Sequence, residues 1–252
     1  MTINNIDNED VNNFSVRTGI AGLNRTLTVY NSNAAANPAS AATIISSVNG
    51  AAVGNPTYKS VITGVQTWTW GADNAHGDNF VIAGSPTLGT TDVMRITPTG
   101  FINLPLQQMF CVYLSFITAG VTGAGFKFQI PFDQPIVNQS GSYDFVGGNF
   151  VAQQPGNYFF IMSASIVPPG GATITAIHAG FTNSGSGFTF DNFSGRAASA
   201  DPWMIQSSAM YPLAIGDTVS PYIYAVGDAG NDVPVEGGPV DIHTYFMGWL
   251  VG

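Results

Sequence analysis

Charge is what this sequence has least of. Only 8% of its 252 residues are Asp, Glu, Lys or Arg, where an ordinary domain carries about a quarter. The six cations, Arg17, Arg25, Lys59, Arg95, Lys127 and Arg196, are scattered among fifteen Asp and Glu, and the net charge is −9. Such a chain offers no basic stripe to a phosphate backbone, so nucleic acid is excluded as a partner. Cys111 is the one cysteine, which excludes an internal disulfide and a cysteine zinc site and leaves a small buried hydrophobe. Glutamate occurs only as Glu9 and Glu236. A pair of carboxyl groups flanking a glycosidic bond would therefore need Asp or Glu236. His76, His178 and His243 have no ligand spacing among them, against a histidine metal centre. No run of eighteen apolar residues is present, so no segment reads as a membrane-spanning helix. The start, Met1-Thr-Ile-Asn-Asn, lacks the basic and apolar regions of a signal peptide, and export would use another route or a missing segment.

What is present can build a core. Hydrophobic residues make up 45%, with 17 Phe and 30 Gly, unlike the composition of disorder. Few charges beside many Thr, Val, Phe and Gly fit closely associated β structure, in which surface a monomer would expose lies between chains. Three regions are expected. Residues 1–18 are Asn-rich and acidic, a flexible or truncated stalk end. Residues 19–105 carry short strands punctuated by Gly and Asn, at Leu27 to Tyr30, Thr43 to Val48, Tyr58 to Thr63, Thr67 to Trp70, Asn79 to Ala83 and Asp92 to Thr97. Asn49-Gly50 is a hairpin signal, and Ala34 to Ala42 is open to a short helix interrupted at Asn37-Pro38. Residues 106–252 form a head, in which Tyr158, Phe160, Met162, Ala164 and Ile166 share one strand face by the two-residue period. Two further strands, Met109 to Phe116 and the last one, are apolar on both faces. One face packs inside a sandwich and the other needs a neighbouring subunit. Phe110, Tyr113, Tyr245 and Trp249 are the expected trimer core.

The head also carries a spaced pattern: Phe132, five residues, Asn138, four, Tyr143, six, Phe150, five, then Gly156, Tyr158 and Phe160. Leu213-Ala-Ile-Gly216-Asp217-Thr-Val219 and the closing Phe246-Met247-Gly248-Trp249-Leu250-Val251 accompany it. Together they resemble the complement C1q globular-head family, relatives of the tumour-necrosis-factor jelly rolls; Met162 departs, standing where Phe or Tyr is usual. The resemblance implies a homotrimeric jelly roll. Upstream, Gly64-Val-Gln-Thr-Trp68-Thr-Trp70-Gly71-Ala-Asp73-Asn74, Leu88-Gly89-Thr-Thr-Asp92 and Ile96-Thr-Pro-Thr-Gly100-Phe-Ile102 resemble segments of phage tail fibres and trimeric adhesins. That implies turns at Asp73-Asn74 and Leu88-Gly89-Thr90 in a trimeric β shaft, ending near Pro105.

Candidate sites follow from loop chemistry. Trp203 with Asp201, Arg196 and Asn192 places an aromatic face beside amide and charged groups, the chemistry of a glycan or protein receptor patch; the competing reading has Trp203 begin a strand and pack in the core. Tyr222 and Tyr224 face either the trimer axis or a ligand. Asp228, Asp232, Glu236 and Asp241 gather in one Gly- and Pro-rich stretch. They suit a calcium site by their hard oxygen ligands or a solvated acidic loop, which is preferred. The expectation is an all-β trimeric fibre with a short-stranded shaft and a C-terminal C1q/TNF-like jelly-roll head. It is not an enzyme and needs no cofactor, calcium apart. It binds a surface glycan or protein receptor, without membrane insertion, from an extracellular fibre on a bacterial surface or virion. A purely structural trimerisation head and a polysaccharide depolymerase are the alternatives.

Overall fold

The computed structural model describes residues 44–47, 54–168, 174–184 and 202–251, and the backbone of 189–195. The chain divides into two compact units, Met1–Asn49 and Gly50–Gly252. In the first, residues 44–47 form no strand, a correction to the strand expected from Thr43 to Val48; the Ile44 and Ile45 side chains are exposed there. The expected strand Leu27 to Tyr30, the Ala34 to Ala42 segment and the Asn49-Gly50 hairpin lie outside the described residues.

The second unit opens with an antiparallel sheet of five strands in chain order: β1 (Thr57–Ile62), β2 (Gln66–Asp73), β3 (Asn79–Ala83), β4 (Asp92–Ile96) and β5 (Ile102–Asn103). Its turns are where the sequence puts them. Asp73 caps a short 3-10 turn over Asn74–His76 and accepts from Ala75 N. Gly89 lies at φ 87° with its amide donating to Asp92 Oδ1 at 2.8 Å. His76 packs against Gly89, where a Cβ would sit 3.0 Å from the imidazole, so a side chain there would be strained by backbone and neighbour alike.

The head follows as a two-layer sandwich without an α-helix among the described residues. One sheet has seven strands. Its body is β15 (Trp203–Leu213), β12 (Gly156–Ile166), β18 (Tyr245–Leu250), β6 (Met109–Tyr113) and β9 (Gln134–Gln139), with β17 (Val233–Glu236) and β7 (Thr118–Thr122) flanking the far end of β12. The other sheet runs β10 (Tyr143–Asp144), β11 (Asn149–Val151), β16 (Thr218–Val226), β13 (Ala176–Asn183), β14 (Thr189–Gly195), with β8 (Phe128–Gln129) beside β16. The all-β class read from the sequence is the class observed.

The spaced aromatics are the core between these sheets. Phe132, Tyr143, Phe150, Tyr158 and Phe160 are all buried, and so are Met162, Ala164 and Ile166 along β12. Phe110 stands among them, 4.7 Å edge-on from Phe246 and 5.4 Å from Phe150, ring centre to ring centre. Gly248 makes room for this cluster, because a Cβ on it would lie 2.5 Å from the Phe160 ring. Asn138 has a different task. Its Oδ1 accepts from Tyr143 N at 2.9 Å and its Nδ2 donates to Tyr143 O at 3.1 Å, replacing ladder bonds across the turn from β9 to β10. Tyr158 anchors the polar end, with its hydroxyl between the side-chain carbonyl of buried Gln108 and the Gln154 carbonyl.

Candidate ligand and assembly surfaces

Strand register places the outward side chains of the seven-stranded sheet in three rows. The first is Met210, Phe159, Trp249, Met109 and Gln139; the second Ser208, Ile161, Met247, Cys111 and Val137; the third Gln206, Ser163, Tyr245, Tyr113 and Gln134. No charged residue occurs in them. Met210 is 52% exposed and Met109 40%, and Phe159 meets Trp249 edge-on at 5.2 Å. The third row is more polar: Gln206 Nε2 donates to the Tyr245 hydroxyl at 3.0 Å, while the buried Ser163 hydroxyl has no partner. Tyr113, Tyr245 and Trp249, three of the four residues proposed for a trimer core, share the outer face. Phe110 does not. It points inward and is 2% exposed, because parity along β6 sends Phe110 and Cys111 to opposite faces.

Of the expected receptor patch, Trp203 and the Asn192 backbone fall among the described residues. Trp203 opens β15 opposite Ile166 and is 5% exposed, so its ring belongs to the core, with Nε1 unpartnered. This corrects its placement on a binding surface. The alternation of β15 decides it, since Trp203, Ile205, Ser207, Ala209, Tyr211 and Leu213 are buried while the intervening residues are exposed. Asn192 pairs with Ala179 in the ladder; its side chain, and Arg196 and Asp201, lie outside the described residues.

Tyr224 does lie on a surface, the outer face of the six-stranded sheet. It pairs with His178 across β16 and β13, and the two rings stack at 4.2 Å with 9° between planes. Tyr222 follows on the same face, stacked on Tyr224 at 6.3 Å. Lys127 Nζ sits 4.1 Å above the Tyr222 ring, a cation–π contact. The sequence signal for this ladder is the alternation Tyr222-Ile223-Tyr224. His178, placed inside a strand by its sequence, adds a ring that only register could bring in.

The acidic stretch has no common centre. The two oxygens of Asp228 accept from Gly230 N at 3.2 Å and Asp232 N at 2.8 Å, closing their own turn. Glu236 lies on β17, accepts from Ser165 Oγ at 2.7 Å and stands 3.4 Å from His243 Nδ1. No group of three His, Cys, Asp or Glu that could hold a metal occurs among the described residues. The calcium reading of Asp228, Asp232 and Glu236 is therefore corrected: the Asp228 oxygens cap their own turn and Glu236 is engaged by Ser165 on β17.

Local environment also shifts several proton affinities. Burial pushes the Cys111 thiol up. Burial and the charge of Asp144 raise the Tyr143 hydroxyl well above its ordinary range. For Asp133 burial acts upward, but hydrogen bonds from the Ser115 hydroxyl and amide and from Gln134 outweigh it and hold the carboxyl below its usual value.

The globular domain of zebrafish complement 1qA is 18% identical and aligns over 57% of this chain and 98% of its own, with TM-score 0.40. Murine APRIL at pH 5.0 is 13% identical over 57% of this chain and 99% of its own, with TM-score 0.43. The pH 8.0 structure of the same protein gives 11% identity, the same coverage and TM-score 0.42. No curated protein matches. The C1q domain family model matches residues 114–251, more than half of the sequence, and the chain belongs to the C1q domain family.

Proposed function

We propose that this chain is the non-enzymatic, homotrimeric tip of an extracellular fibre, whose head binds a glycan or protein receptor on a target surface. The observation that carries the reading is the uncharged outer face of the seven-stranded sheet. Trp249, Phe159, Met247, Ile161, Met109 and Cys111 lie contiguous there in register. A chain of net charge −9 repels its own copies over most of its surface, and this face presents no charge to oppose them. Families of this fold assemble as homotrimers and bind receptors, and the outer face is the surface that three copies would cover.

The six-stranded sheet then faces outward in each subunit. Its half-buried His178–Tyr224 stack, with Lys127 held over the buried Tyr222 ring, supplies aromatic faces and a cation to a ligand; Arg196, Asp201 and Asn192 remain candidates. Three equivalent surfaces raise avidity toward a target that displays repeated ligands. The bearer is a bacterial surface or a virion, a reading suggested by the likeness of the upstream segments to fibre shafts.

The test is binding to a glycan array and to target cells by the full chain, by Tyr224→Ala with His178→Ala, and by Trp249→Glu. Loss on the double substitution with the trimer intact supports a ligand surface there. Unchanged binding by the double variant would remove that surface, and absence of any binding by the wild type would leave a structural trimerisation head.

A further inference from the structure

We infer that the bare face of the β1–β5 sheet is a second assembly surface, buried against the same face of other copies of this chain. The two sides of this sheet differ sharply. On one side Thr69, Gly71, Asp73, Val81 and Ala83 are buried, and Thr69 Oγ1 donates to Ser85 O at 2.7 Å in the overlying loop. On the other, register lines up Tyr58, Trp70, Ile82 and Met94 in one row and Ala72, Phe80, Ile96 and Ile102 in the next, with Trp68 beside Ser60. Neither row holds a charge. Trp68 is 42% exposed, Phe80 43% and Ile102 62%, an apolar field of the kind that marks an interaction surface.

Continuity and charge select a second copy as the occupant. Phe101, Ile102, Leu104, Leu106 and Met109 are all exposed, so exposed apolar residues recur along the chain from β5 into β6, where Met109 joins the outer face of the head. The connection is fastened. Gln139 Nε2 donates to Leu104 O at 2.8 Å and Gln107 Nε2 to Leu250 O at 2.9 Å, tying it to strands β9 and β18 of that face. Copies gathered through the head would therefore carry their β1–β5 sheets to a shared axis, and an uncharged face meets its own copy without electrostatic cost. The inference rests on the homotrimer reading for the number of copies.

The test uses the full chain carrying Cys111→Ser, with either Ser60→Cys on the bare face or Lys59→Cys on the opposite face of the same strand. Both positions are exposed, so both variants keep their packing. Maleimide labelling is expected to be at least about tenfold slower for Ser60→Cys, a difference of ~1.4 kcal/mol in accessibility. Mild oxidation is expected to link chains only in Ser60→Cys. Equal labelling of the two, or slow labelling without a link between chains, would overturn the inference, the latter by putting the chain's own amino-terminal segment or a foreign partner on the face. Light scattering of the same samples separates the two readings. Three chains with an open position 60 would leave the head reading standing, whereas a monomer with an open position 60 would sink both.

Discussion

The β1–β5 sheet and the head are built from the same short antiparallel strands, yet they bury very different amounts of themselves. Among the described residues the head encloses twenty-eight buried apolar side chains in one cluster, while the smaller sheet encloses three, Val81, Ala83 and Leu88. A single sheet has two faces and one short loop to cover them, so half of its apolar residues stay bare. The sandwich closes one face of each sheet on the other. It folds around its own core. The smaller sheet has turn chemistry in place of a core, with Asp73 and Asp92 fixing its loops, and its aromatic residues turned away from the chain's own interior.

The sharpest way to test that difference is to remove core volume in each region. Phe160→Ala should cost about 3–5 kcal/mol, a large share of the ~5–15 kcal/mol that holds a domain together, and lower the denaturant midpoint of the head strongly. Val81→Ala removes two methyl groups from a cluster of three and should leave that midpoint unchanged. Equal effects at the two sites would erase the distinction. Next in size is Trp249→Glu, which introduces a charge in the middle of the uncharged rows. Interface aromatics of this kind contribute about 2 kcal/mol or more, so the trimer should dissociate at least about thirtyfold more readily, with near-UV circular dichroism of the head retained.

Cys111 sharpens the same comparison from within the face. It lies in the row of Met247 and Ile161, so alkylation should be blocked in the assembled protein and proceed in Trp249→Glu. It should be slow even there at pH 7, since burial raises the thiol pKa and keeps the thiolate fraction low. The smallest effect belongs to Asp133. Its folded-state pKa lies below the ordinary carboxylate value, so its contribution is fully present above about pH 4 and is lost as pH falls through the depressed value. Asp133→Asn should flatten the acid limb of stability slightly, because the group is largely solvated and screened; an unchanged limb would show that the Ser115 contacts do not persist in solution.

Much of the head was legible in the sequence because its core obeys a two-residue period and its aromatics sit at fixed spacings. Tyr158, Phe160 and Met162 could be assigned to one face before any coordinates. Parity across two faces was less so. Where both faces of a strand are apolar, as in Met109 to Tyr113, composition does not say which face is inside, and Phe110 passed for an assembly residue until its register with Gly248 and its ring contacts placed it in the core. Trp203 misled for a related reason: polar neighbours suggested a loop, whereas pairing with Ile166 makes it the first residue of a buried alternation. The acids from Asp228 to Glu236 are close in sequence, but Asp228 is used to cap its own turn and Glu236 to hold Ser165, which proximity in sequence does not reveal. The His178–Tyr224 stack joins residues on two strands distant in sequence, a contact that no local pattern specifies.

The solution mass of the full chain by light scattering, beside that of Trp249→Glu, tests the central claim most directly. The account predicts three chains for the wild type and a smaller species for the variant. A folded monomer for both would contradict it.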